Sequence, residues 1–351
     1  MTEKIAENSR DANKYIIFSV TQPKYGVNRI FSILNTVFLE AHRWGRIPVV
    51  GNFTVPSSHN LYFECGDFHF NDYFDLARGT LRPRNKVDSV IQDRLKWIKE
   101  EELDREAYPT EKVCRIKDEI ISRKMHEQYD IIIRRDPPYE YVEKYFQQEK
   151  PNLLLDFPYS EKINQLTDIV LKALGTSREN AWATQCYFLN KVATMRSCFD
   201  EATRARGSSI SLKTSNYACM HVPAKRDSRQ KEQRALRFAL SKKQIQAVLS
   251  YAISKNSRIY IMSDIRNPRH FDFLKEDYQV YRCYDFPELK RLISGENGSS
   301  IDNVMLYLVE KNIMKHATVK ILPPDQGSIM YHLNEVYDLS ILKNPPTGMS
   351  A

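Results

Sequence analysis

Two kinds of segment alternate along this chain, and the alternation restricts its fold more than any other feature. Short apolar, β-branched runs such as KYIIFSVT (14–21) and RIPVVGNF (46–53) read as buried strands. Between them lies the loop QPKYGVN. From Arg29 the period changes, with Ile30, Ile33, Leu34, Val37, Phe38 and Ala41 at helical spacing and Gly45 closing the helix. A strand, a loop, a helix and a strand within about 40 residues make the building block of a parallel sheet. YDIIIRR (129–135), stopped by DPP, and NLLLDF (152–157) read as further strands. The charged stretch 86–126 carries apolar residues at helical spacing and is expected to form helices on the outside of the first domain. INQLTDIVLKALG (163–175) is expected to be a helix with Gly175 as its C-cap.

A second series starts near residue 215. NYACMHV, RIYIMSD, YQVYRCYD and TVKILPP read as strands. SKKQIQAVLSYAISKN reads as a helix with Ser241 as N-cap and Ile245, Val248, Leu249 and Ala252 inward, and SIDNVMLYLVEKNIMKHA as another. A further helix is expected to begin at DQGS. The fold class is therefore α/β, with two doubly wound domains assigned to 1–165 and 166–351 and the passage between them within 165–215. A length of 351 residues suits two domains.

The formal net charge of +8 fits nucleic acid, an anionic membrane surface or a phosphorylated small molecule as partner. No cluster matches a DNA- or RNA-reading module, and 52 basic residues are interspersed with 44 acidic ones, so no nucleic-acid partner is expected. The cysteines, Cys65, Cys114, Cys186, Cys198, Cys219 and Cys283, include no C-x-x-C pair, which suits reduced, partly buried thiols rather than a zinc site. The polar stretch MTEKIAENSRDANK reads as neither signal peptide nor anchor, and no run of ~18 apolar residues occurs. A soluble, cytoplasmic protein is expected. The sequons at Asn52 and Asn297 are then read as chance.

Ligands of open α/β sheets bind outside the carboxyl ends of the strands. That rule selects four loops: 22–29, 221–228, 263–268 and 323–328. In the first, Gly26 permits a tight turn, while Asn28 and Arg29 open a helix whose N-terminus favours an anion. Arg29 adds a fork for phosphate. An ordinary turn capped by Asn28 uses the same residues. In HVPAKRD (221–227), His221 can donate a ring N–H to a phosphate or hydroxyl, Lys225 and Arg226 can neutralise a diphosphate, and Asp227 can orient them. A charged surface turn begun by Pro223 is the plainer alternative. Asp264 ends a strand and can accept from ribose hydroxyls or a base amine, or simply cap the next segment. Asp325, Gln326, Gly327 and Ser328 make a small polar strand-to-helix turn that can nest an anion, or an N-cap. There is no G-x-S-x-G, H-E-x-x-H or G-x-G-x-x-G. D-x-D spacing is absent too, which argues against a metal-dependent sugar transferase.

Five segments in order resemble the two-Rossmann (GT-B) fucosyltransferase superfamily, which includes protein and plant O-fucosyltransferases and the α1,6/α1,2 enzymes. YGVNRIFSILNTVFLEAHRWGRIPVV is similar to that family's Gly-x-Asn turn, helix and strand. FHFNDYFDL (68–76) is similar to F-x-D-I-F-D, and CMHVPAKRDS to L-H-L-R-x-E-x-D-M. IYIMSD resembles I-Y-(L/I)-A-(T/S)-D, and HATVKILPPDQGSIMYHL the closing (S/A)-D-V-F-V…G-N-M-A region. The resemblance spans about residues 15–340.

The resemblance implies two Rossmann-like domains facing a cleft, with an acceptor glycan or protein on the N-terminal side and GDP-fucose on the C-terminal side. It implies inversion at the anomeric carbon with no metal and no other cofactor. His221 is then beside the diphosphate, Asp264 on the nucleoside, Asp325 to Ser328 on the nucleotide or phosphates, and Gly26 and Asn28 in the floor of the site. The family's Arg two places after the His is Pro223 here, a residue without a backbone N–H. Either Lys225, Arg226 or Arg29 supplies the charge, or the donor sugar is another, such as rhamnose, xylose or arabinose, or the chain binds without catalysing. The family's Glu near the first loop has no counterpart. That leaves His42, Glu64, Asp67 and Asp72 as candidate bases.

Overall fold

The computed structural model describes residues 13–19, 34, 37–38, 40–42, 44–54, 67–83, 93–94, 96–108, 110–115, 123–135, 153–179, 184–188, 191–198, 217–222, 242–263, 265, 267–294 and 301–322. The chain divides into two compact units, Met1–Ser160 and Glu161–Ala351. No helix among the described residues is long and apolar enough to cross a membrane.

The first unit contains β1 (Tyr15–Ser19), β2 (Ile47–Val50), β3 (Asn52–Thr54), β4 (Asp67–His69), β5 (Thr80–Pro83), β6 (Asp93–Arg94), β7 (Ile98–Lys99), β8 (Glu111–Arg115), α1 (Arg123–Gln128), β9 (Ile131–Arg135) and β10 (Leu153–Asp156). Five strands form a parallel sheet in the order β7-β2-β1-β9-β8. Its register sets Ile17 beside Val49 and Ile133, so the pleat gathers these with Tyr15, Ile131 and Leu103 into one core. The alternate residues Ile16 and Ile132 are also fully buried, as a sheet covered on both faces requires. Leu34, Val37, Phe38 and Ala41 are helical and buried, matching their helical spacing.

One expectation is corrected here. The described part of residues 86–126 is not a helical outer layer: it holds β6, β7, β8 and single 3-10 turns at Glu100–Glu102 and Arg105–Ala107, with α1 beginning at Arg123. Pairing overrides the helical pattern, because β8 lies in register with β9 along its whole length, Glu111 opposite Ile131 through Arg115 opposite Arg135. NLLLDF does form a strand, but outside the parallel sheet. It pairs antiparallel with β5 in the separate sheet β10-β5-β6.

At the amino-terminal edge of the parallel sheet sits Arg46, 5% exposed. Its guanidinium donates to His126 Nδ1 (2.8 Å) and to the carbonyls of Tyr15 (2.8 Å), Asp130 (3.0 Å), His126 (2.6 Å) and Tyr129 (2.6 Å). Trp44 stacks on His126 at 4.4 Å, and the buried Glu40 lies 3.7 Å from His126 Nε2.

The second unit contains α2 (Glu161–Ala173), β11 (Thr184–Phe188), β12 (Lys191–Cys198), β13 (Tyr217–His221), α3 (Lys242–Ala252), β14 (Arg258–Met262), β15 (Gln279–Tyr281), α4 (Pro287–Ser294), α5 (Asn303–Lys315) and β16 (Val319–Leu322). Gly175, at φ +75°, follows α2 in the left-handed conformation that ends a helix. The sheet order is β12-β11-β16-β13-β14-β15, parallel except for β12. The chain therefore winds outward from β13 to β14 and β15, then returns to place β16 on the other side of β13. The strand order reverses between β13 and β16.

Alternate residues face different helices. Met220, Ile259, Ile261 and Ile321 pack with Ile245, Val248 and Leu249 of α3. On the opposite face, Tyr217 donates to the Ile313 carbonyl (2.8 Å), Tyr260 to Glu310 (3.0 Å) and Lys320 to the Lys315 carbonyl (3.0 Å). Helix α5 is thus closed in by the sheet, by α4 and by α2, where Asn312 donates to Thr167 (3.1 Å). Burial pushes the Cys219 thiol well above its ordinary value, which leaves it protonated and inert.

This enclosed helix ends on a titrating group. His316, its C-cap, is held down at about 4, first by burial and then by Lys315, Lys320 and Arg178. The unfolded imidazole takes up its proton at the ordinary ~6.5. Stability from this site is therefore complete above that value and falls as the pH drops towards 4, by on the order of 2–3 kcal/mol. Denaturant midpoints at about pH 7.5 and about pH 4.5 should show a smaller acid loss in His316→Gln than in the parent.

Candidate functional site

His221 closes β13, paired in register with Met262, the last residue of β14. It is half-buried, and the four residues before it are fully buried. One step on, the Val222 N–H donates to the Met262 carbonyl (2.9 Å), and Ser263 Oγ donates to the Val222 carbonyl (2.5 Å). The Ile265 N–H in turn donates to Ser263 Oγ (3.2 Å). The loops after β13 and β14 are therefore stitched together at their roots.

On the other side, β16 runs parallel to β13 with Ile321 opposite Met220, and ends at Leu322. The strands that precede three of the four loops selected from the sequence, β13, β14 and β16, thus lie together in one sheet and end at the same edge, with β13 between the other two. His221 stands at the reversal of strand order, where open α/β sheets form their ligand crevice. The fourth loop follows β1 in the first unit.

The loop after β14 has a support that sequence reasoning missed. Arg282, 3% exposed, lies directly after β15. Its guanidinium donates to the carbonyls of Ile265 (2.7 Å) and Asn267 (2.9 Å). The rings of Phe271 and Tyr284 flank it at 5.0 and 5.1 Å, and its N–H donates to Asp285 (2.7 Å). Half-buried His270 is held below its ordinary value by burial and then by the charges of Arg282 and Lys242. The signal for Arg282 was an Arg at the end of a strand, YQVYRC.

The remaining sequence-derived positions fall unevenly. Gly26, Asn28, Arg29, Glu64, Pro223, Lys225, Arg226, Asp227, Asp264, Asp325, Gln326, Gly327 and Ser328 lie outside the described residues, with Asp264 between the described Ser263 and Ile265. Of the candidate bases, His42 is exposed at the end of the helix leading into β2, where its carbonyl accepts from the Gly45 N–H (3.2 Å). That end adjoins the amino termini of the strands, opposite to the edge the ligand rule selects. Asp67 lies in β4. Asp72 is exposed in the turn Phe70–Asp72, and its carbonyl accepts from Ser160 Oγ (2.8 Å).

No family model and no curated protein matches the chain. Among solved structures, POFUT1 in complex with GDP-fucose is 12% identical over 89% of this chain and 99% of that one, with a TM-score of 0.46. POFUT1 in complex with GDP is 11% identical over 93% and 97%, with a TM-score of 0.45. Scores at this level carry no assignment, and the fold class rests on the strand order and register of the chain itself.

Proposed function

We propose that this chain is an inverting, metal-independent glycosyltransferase that moves fucose from GDP-fucose to a hydroxyl of a glycan or protein. The acceptor oxygen attacks the anomeric carbon as the bond to the diphosphate oxygen breaks. GDP leaves with that electron pair, and a base takes the hydroxyl proton. In this reading the two units face a cleft, with the donor on the second. His221, Lys225, Arg226 and Arg29 meet the diphosphate, with Asp227 orienting them. Asp264 takes the nucleoside, Asp325, Gln326, Gly327 and Ser328 the nucleotide, and Gly26 and Asn28 shape the floor.

One observation carries this reading. The residue that the family resemblance sets beside the diphosphate, His221, closes the strand at which the sheet order reverses. Pro223 favours a second reading, a nucleotide- or glycan-binding relative that does not transfer, because an expected leaving-group cation is missing. A different donor, carrying rhamnose, xylose or arabinose, is also compatible with that change.

A melting-temperature screen of sugar nucleotides tests the reading. A ligand present at 100 times its Kd stabilises by ~2.7 kcal/mol. GDP-fucose and GDP are expected to shift the transition, and no shift with any sugar nucleotide defeats the proposal. Arg226→Ala is expected to weaken GDP more than guanosine. Equal weakening removes Arg226 from the phosphate site.

A further inference from the structure

We infer that Arg282 is a positioning residue for the nucleotide, fixing the backbone on both sides of Asp264; this rests on the donor reading proposed above. The loop after β14 leaves the sheet beside His221, and it is held at Ser263, Ile265 and Asn267. Ser263 is tied to the Val222 carbonyl, Ile265 donates back to Ser263, and Arg282 takes the carbonyls of Ile265 and Asn267. The fork of a guanidinium spans two carbonyls two residues apart, which the single ammonium of a lysine does not do with the same geometry. The rings of Phe271 and Tyr284 lie 5.0 and 5.1 Å from the guanidinium, and Asp285 accepts from the Arg282 backbone N–H.

A buried cation spent on loop carbonyls is costly for a turn of no consequence, since ordinary loop carbonyls are satisfied by water. It is the arrangement expected where a carboxylate must be presented in one place. Ser263 extends the same scaffold to the loop that begins at His221.

The experiment compares GDP and GMP affinities in the full-length parent, Arg282→Lys and Ser263→Ala by titration calorimetry, with melting temperatures of the ligand-free proteins. Misplacing a binding group by a fraction of an ångström is expected to weaken GDP about tenfold in each variant. The GDP:GMP affinity ratio should stay at its parental value, because the second phosphate is held elsewhere. Ser263→Ala removes only one hydroxyl, so it reports even where Arg282→Lys is poorly folded. A lower melting temperature with GDP affinity within about twofold of the parent makes Arg282 merely structural and overturns the inference. A ratio that falls along with affinity overturns it too. If the parent itself binds no GDP, the donor reading fails and takes this inference with it, an outcome distinct from the other two.

Discussion

Arg46→Met should destabilise the first unit by about 3–5 kcal/mol, a large part of the stability of a domain this size. The reasoning starts from what the side chain leaves behind rather than from what it gains. Arg46 donates five hydrogen bonds, one to His126 Nδ1 and four to backbone carbonyls of Tyr15, His126, Tyr129 and Asp130. Those carbonyls surround the entry to β1 and β9, the central pair of the sheet. Methionine has similar reach and no donors, so it strands several buried acceptors at about 1–3 kcal/mol each before relaxation. It also leaves the buried Glu40 and His126 without the neighbouring cation.

Arg46→Lys keeps the charge but cannot serve carbonyls from both arms of a fork, so its loss should be intermediate. Hydrogen exchange resolves the two units in the intact chain. In Arg46→Met the amides of β1 and β9 should exchange faster while those of β13 and β14 keep their protection. Unchanged protection in β1 and β9 would show that the cluster is dispensable.

How far the sequence reveals this molecule depends on what each signal encodes. Period is local, so the apolar runs at Tyr15–Ser19, Tyr217–His221 and Arg258–Met262 are legible as strands, and Glu161–Ala173 and Asn303–Lys315 as helices. Pairing is not local. Residues 111–115, EKVCR, have the charge of a surface helix and become a strand only because β9 lies alongside. Burial on a second face is equally hidden. Lys320, between Val319 and Ile321, reads as the exposed side of a strand, yet it is 1% exposed because α5 covers that face. The same enclosure buries Glu310, Lys311 and Asn312, a run with the polarity of a helix exterior, and burial holds Lys311 down at about 7. At the site, the ends of strands could be read one by one. That three of them adjoin, and that the order reverses at His221, is set only by the sheet topology. Arg282 can be read as an Arg at the end of a strand, but its role cannot, because its partners are backbone carbonyls, which no side-chain motif records.

Pro223→Arg is expected to raise the rate of GDP-fucose turnover, read as donor hydrolysis or as transfer, by roughly 10²-fold or more. The strand before this position is fixed: Met220 and Val222 are buried, and the Val222 N–H and carbonyl are both engaged across to β14. In the chain, position 223 follows directly on that pairing, two residues past His221, which closes the strand at the reversal of order. A cation introduced there meets the place where the resemblance puts charge developing on a leaving diphosphate. Removing one preorganised donor from such a site costs about 10²–10³ in rate, and supplying one at the same place acts in the opposite sense. Proline offers neither a charge nor a backbone N–H there. Three outcomes divide the readings. A gain in Pro223→Arg means the rest of the machinery is intact and the proline alone holds it back. If the parent already turns over and the variant adds nothing, Lys225, Arg226 or Arg29 supplies the charge, and Lys225→Ala, Arg226→Ala and Arg29→Ala should then each be slower. Where GDP binds yet neither parent nor variant turns over GDP-fucose, the missing cation is not the reason, and either the donor carries another sugar or the chain binds without transferring.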